Sequence, residues 1–136
     1  MSVEQAIHEH WGAYKPLADL VSDANVFTGE AKGELTLPYV TLERIGDTES
    51  RRTSEGTILE TVQLRFNVWG ETLDQVKKVG DAISDHFNRL DFDWSRGKVC
   101  DCKPNNQVDV PDTNGVWHSL RDYLVRVRHN SRTRAA

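Results

Sequence analysis

From Val62 to Val68 apolar and polar side chains alternate without a break: Val62, Leu64, Phe66 and Val68 against Gln63, Arg65 and Asn67. Period two, with β-branched and aromatic residues on one side, predicts a half-buried strand. Trp69 and Gly70 stop it, and the period then changes. Leu73, Val76, Gly80, Ile83 and Phe87 recur at steps of three and four, with Val79 and Leu90 widening the stripe, which predicts a long amphipathic helix. Thr72 stands at the N-cap position, with Gln75 three residues on as the return arm of a capping box. A strand and a helix with one apolar face each are expected to bury those faces against each other.

The flanking chain is read in the same way. Ser2 and Gln5 form a second capping-box pair ahead of Val3, Ile7, Trp11 and Tyr14, which are spaced for a helix. Pro16 disfavours helix at Lys15 and can open a new turn, so a short helix is expected over Pro16–Ser22. Asp23-Ala24-Asn25 turns the chain into a short strand at Val26-Phe27. Pro38 introduces a strand over Tyr39–Ile45, and residues 46–57 are almost wholly polar, predicting a long mobile hairpin arm. Residues 91–97 read as a turn, 98–103 as a strand with Cys100 and Cys102 on the same side, and 104–114 as a loop. The last strand is expected over about Val116–Arg128, and residues 130–136 read as a disordered tail. The order predicts one α+β domain over residues 1–129. Its sheet is antiparallel or mixed, of about four to five strands, with the long helix on one face and a helical segment at the N-terminus.

At 136 residues one domain with one core is expected. No apolar run approaches a membrane span, and the first residues, with Glu4, His8, Glu9 and His10, do not read as a signal peptide. Two cysteines fit a reducing compartment. The net charge of −4 is uneven. Residues 119–136 hold five arginines and Asp122, 5 − 1 = +4, which leaves −8 for the rest. An acidic body argues against broad binding to nucleic acid.

Candidate chemistry is sparse. His8 and His10 sit two apart on a helix and cannot share a metal. Cys100-x-Cys102 lacks the spacing of a redox motif and the ligand number of a structural zinc. Asp91-Phe92-Asp93, with Asp109 and Asp112, has no accompanying phosphate loop or nucleophile–base pair and reads as solvated loop acids. Trp11, Trp69, Trp94 and Trp117 are too scattered for a stacking platform. No catalytic, metal or cofactor site is expected.

Four short stretches in fixed order resemble the tail-completion (tail terminator) proteins of long-tailed bacteriophages. They are Leu20-Val21 through Val26-Phe27, Leu37-Pro38-Tyr39-Val40-Thr41-Leu42, Val62–Trp69 running into the long helix, and Gly115-Val116-Trp117-His118 leading into Tyr123–Arg128. The resemblance implies a structural virion protein without catalysis. Such a protein forms a homo-oligomeric ring, typically of six subunits, on the head-proximal end of the tail tube. It stops tube growth and meets the head connector, and DNA passes through the lumen without specific binding. Contacts with the tube protein or a neighbouring subunit are expected first from the arm, with Glu49, Arg51, Arg52 and Glu55. The basic C-terminus, with Arg128 and Arg132, comes second. A head–tail adaptor of similar build, or a non-viral soluble binding module, is the alternative, and no membrane partner is implied.

Overall fold

A computed structural model describes residues 3–29, 31, 33, 35–52, 58–111 and 115–129, with the side chains of Asp23 and of residues 47–52 outside the description. Two helices open the chain, α1 (Val3–Ala13) and α2 (Lys15–Leu20), and strand β1 (Val26–Thr28) follows. The hairpin of β2 (Tyr39–Arg52) and β3 (Ile58–Gly70) leads into α3 (Leu73–Phe87). Strands β4 (Phe92–Trp94), β5 (Gly97–Pro111) and β6 (Trp117–His129) complete one six-stranded sheet in the order β1-β2-β3-β6-β5-β4. All pairings are antiparallel except β1 with β2. Among the described residues the sheet is therefore mixed, and has six strands rather than four to five.

The central strand and helix form for the reasons their periods predict. Val62, Leu64, Phe66 and Val68 are buried on one side of β3, and Val76, Val79, Gly80, Ile83 and Phe87 are buried on α3. They share a core with Val3, Ile7 and Trp11 of α1, Leu17 of α2, Val40 and Leu42 of β2, and Tyr123, Val125 and Val127 of β6. The Trp11 indole is fully buried, and its N–H donates to the Val21 carbonyl at 2.9 Å, so its one polar atom is satisfied. Thr72 caps α3 by accepting from the Gln75 amide. The return arm lands one residue early: Gln75 Oε1 accepts from the Glu71 amide at 2.7 Å, not from Thr72. The capping box expected for α1 falls on Ser2, which lies outside the described residues. Helix α2 starts at Lys15, one residue ahead of Pro16.

Two differences from the sequence reading have one physical origin. The stretch 91–97, read as a turn, holds the three-residue strand β4, and most of 104–114, read as loop, is the continuation of β5 to Pro111. Beyond Cys102, β5 is almost entirely exposed and, among the described residues, has no strand on its outer side, so it needs no apolar alternation. Pro104 is tolerated next to a register shift between Pro104 and Asn106. A second shift, between Val99 and Asp101, reverses the side on which the following residues fall. Cys100 and Cys102 therefore part company: Cys100 is exposed and Cys102 is buried with Val99. At Gly97 the backbone has φ +148°, and a side chain there would run into the Arg128 carbonyl, so only glycine starts this strand.

Candidate interaction surfaces

The helices lie on one face of the sheet. Among the described residues none covers the other, the open face, although Gly29, Ala31 and Leu35 border a hollow there with Tyr39, Thr41, Asn67 and Trp69. On the open face β2, β3 and β6 present Tyr39, Trp69 and His118 in register, and β5 adds Val110 opposite His118. The three rings stack in a row, with centroids 4.9 Å apart between Tyr39 and Trp69 and 4.5 Å between Trp69 and His118. Phe27 of β1 meets the edge of Tyr39 at 6.4 Å. Beneath the row runs a polar chain. Asn67 donates its amide to Glu43 at 3.1 Å, and its oxygen lies 3.0 Å from His118 Nε2, an arrangement in which Nε2 carries the proton. One register step on, Arg65 grips Asp122 through two bonds, Nε to Oδ1 at 2.8 Å and Nη2 to Oδ2 at 3.0 Å. Hydrogen bonding to Asp122 holds the Arg65 pKa above its ordinary value. Paired, planar contacts of this kind fix geometry as well as charge.

The other end of the open face carries a row of basic positions. Arg51 pairs in register with Leu59, Leu59 with Arg128, and Arg128 with Lys98, so three basic positions form one row across four strands. Arg126 and Arg128 are exposed. Among the residues expected to make contacts, the backbone positions of Glu49, Arg51 and Arg52 lie on the paired end of β2, opposite Thr61, Leu59 and Ile58. The side chains of those three lie outside the described residues, as do Glu55 and Arg132 altogether. The sheet thus places Arg51 and Arg128 in one row, two positions the sequence assigns separately to the arm and the last strand.

Beneath the helices one charged side chain is buried. Arg121 of β6 is 3% exposed and lies across α3 at Gly80, where a Cβ would stand 2.6 Å from its Cζ. Its Nη1 donates to Ser84 at 3.2 Å and its Nε to Ser119 at 3.5 Å, while Ser119 donates to Asp109 at 2.5 Å. Asp81 stands 3.8 Å from Nη2. The signals for this contact were in the chain: Arg121 and Ser119 are in phase with Tyr123 and Val125, and Gly80 interrupts an apolar helical stripe. Glycine there marks a close approach.

The histidines pair across the fold, not along α1. His10 Nδ1 and His86 Nε2 are 3.3 Å apart, and His86 stacks on Tyr14 at 4.2 Å. Burial lowers the pKa of both, and for His86 the neighbouring His10 lowers it further. Among the described residues no three His, Cys, Asp or Glu side chains converge on a point where a metal could sit. Asp91 and Asp93 are exposed, and burial pushes the Cys102 thiol up to about 12, which makes it a poor nucleophile. No described helix is long and apolar enough to cross a membrane.

A solved structure described as the virion of a native gene transfer agent (GTA) particle contains a chain of the same fold. The TM-score is 0.74 at 19% identity, with 94% of each chain covered. No curated protein sequence matches. The family model for tail completion protein gp17 matches residues 5–128, from α1 through nearly all of β6. The chain therefore belongs to the tail completion protein gp17 family, and is a structural, non-enzymatic protein of the virion tail.

Proposed function

We propose that copies of this chain close into a ring, of six subunits, on the head-proximal end of the tail tube, where the ring ends tube growth and offers a surface to the head connector. The observation that carries this reading is the family match over residues 5–128. The architecture suits the task. A helix-backed sheet gives a stiff body, and its open face, row of basic positions and unpaired edges are left for neighbours. The arm formed by the far ends of β2 and β3, with Glu49, Arg51, Arg52 and Glu55, is assigned to the tube or the adjacent subunit, and Arg128 and Arg132 to a second contact. A body carrying −8 outside residues 119–136 favours a lumen that repels the phosphate backbone, so DNA passes without adhering.

Deleting residues 47–56 tests the assignment. Pairing from Tyr39↔Trp69 to Arg44↔Leu64 is untouched by the deletion, so the domain is expected to fold as a monomer. In particle assembly the variant should leave tails uncapped and of uneven length. Tails of normal length made with the deleted protein would remove the arm from the mechanism. Images placing the protein on the head side of the joint, away from the tube, would favour an adaptor instead.

A further inference from the structure

Each outer strand of the sheet is shielded at only one end. β1 covers β2 over Val40–Leu42, and β4 covers β5 over Gly97–Val99. Among the described residues, β2 from Glu43 to Arg52 and β5 from Cys100 to Pro111 have no strand on their outer sides, although the Cys102 carbonyl already accepts from the Arg89 amide at 2.8 Å, which leaves the row open from Lys103 onward. An unpaired edge is a row of backbone donors and acceptors ready to receive another strand, and monomeric proteins blunt such edges by keeping them short or by charges, prolines, bulges or a covering segment. These stretches are long, and what interrupts them is local: register shifts at Arg44/Gly46, Asp47/Glu49 and Pro104/Asn106, two prolines, and charges of mixed sign. Residues 43–52 carry Arg44, Arg51 and Arg52 against Glu43, Asp47 and Glu49, 3 − 3 = 0. Residues 100–111 carry Lys103 against Asp101 and Asp109, 1 − 2 = −1. Both also expose aliphatic side chains: Ile45 is 38% exposed on β2, and Val108 and Val110 are 39% and 37% exposed on β5. Pro104 and Pro111 each remove one donor and leave the rest of the row.

We infer that the free edge of β2 in one copy pairs, antiparallel, with the free edge of β5 in the next copy, so that the sheets of all copies join into one. The inference rests on the ring reading above and names its interface. Strand direction permits it. β2 runs antiparallel to β3, β3 to β6 and β6 to β5, so β2 runs opposite to β5. A second copy in the same orientation therefore brings its β2 antiparallel to this β5. The two edges are unlike and lie on opposite sides of the sheet, which is what a head-to-tail contact needs in order to close a ring instead of making a two-fold dimer.

The shields also set a stagger. The free part of β2 is level with Ile58–Arg65 of β3, and the free part of β5, through β6, is level with about Gln63–Gly70. They overlap over Gln63–Arg65, and a slip of roughly five residues, ~17 Å at the usual strand rise, brings them into full register. β1 and β4 then stop the neighbouring strand at its two ends. A sheet that closes on itself requires a fixed stagger between strands, and these two short strands would supply it.

Hydrogen exchange on the assembled protein and on monomer tests the interface, together with the double variant Ile45→Lys/Val108→Lys. Both sites are exposed, so the variant should fold with an unchanged circular dichroism spectrum. In rings, amides within 43–52 and 100–111 should exchange about ten-fold more slowly or better, and the double variant should form none. A ring whose edges exchange as fast as the monomer's, or one formed by the double variant, overturns this interface and leaves the ring reading standing. No ring from the wild-type protein, either alone or on purified tail tubes, overturns the ring reading and the interface together.

Discussion

On the covered side of β3, Val62, Leu64, Phe66 and Val68 are 0–2% exposed and meet the apolar stripe of α3. On the open side of the same strand, Arg65, Asn67 and Trp69 form an ion pair, an amide relay and a ring stack with their cross-strand neighbours. The covered side is held by the hydrophobic effect, which is strong but indifferent to which apolar group touches which. The open side is held by directional contacts that fix side-chain positions while enclosing Asn67 and Asp122, each 5% exposed. A solvent-facing sheet surface has no need of rings aligned over three strands or of an arginine locked to its aspartate. Their presence fits a surface kept in shape for a neighbour, and the two sides should therefore fail differently when altered.

The largest effect should come from the covered side. Phe66→Ala removes a ring that meets Trp11, Phe87 and Tyr123, and should cost about 3–5 kcal/mol in urea unfolding. A much smaller loss would mean that the core is not centred on β3. On the open side the ion pair should give an asymmetric result. The Asp122 side chain is 6% exposed and that of Arg65 30%, so Arg65→Ala strands a buried carboxylate, whereas Asp122→Ala leaves a guanidinium that reaches water. We expect losses of about 1–3 kcal/mol for these two, with Arg65→Ala the larger. Equal losses would show the pair to be ordinary surface charge.

The smallest effect is one of pH, at the α1–α3 contact. Burial lowers the folded-state pKa of His10 and His86 below the ordinary imidazole value of 6.5 that holds in the unfolded chain. In the window between the lowered values and 6.5 the unfolded chain binds more protons, so stability falls as pH drops through that window and levels off below it. His86→Gln should flatten this slope in melting curves taken between pH 7 and 5. An unchanged slope would assign it to other groups.

The covered side was legible in the sequence because burial imposes a period. Val62–Val68 and Leu73–Phe87 could be read as strand and helix, and Tyr123, Val125 and Val127 as one core face, before any coordinates. Where burial stops, so does the signal: the outer part of β5 has no period, and it was read as loop although its backbone is paired with β6. Bulges hide in the same way. The shift between Val99 and Asp101 separates Cys100 from Cys102, and nothing in the residue types announces it. The open-side row was invisible for a different reason. Tyr39, Trp69 and His118 are far apart in sequence and meet only through strand register, which hairpin turns and core packing determine.

Electron cryo-microscopy of the assembled tail tests the account most directly. It should show a closed ring of this chain at the head-proximal end of the tube, with the outer edges of β2 and β5 paired between neighbours and the helices away from those contacts. A ring whose subunits touch through α1 and α3 while both sheet edges face solvent, or a tail end without this chain, would contradict it.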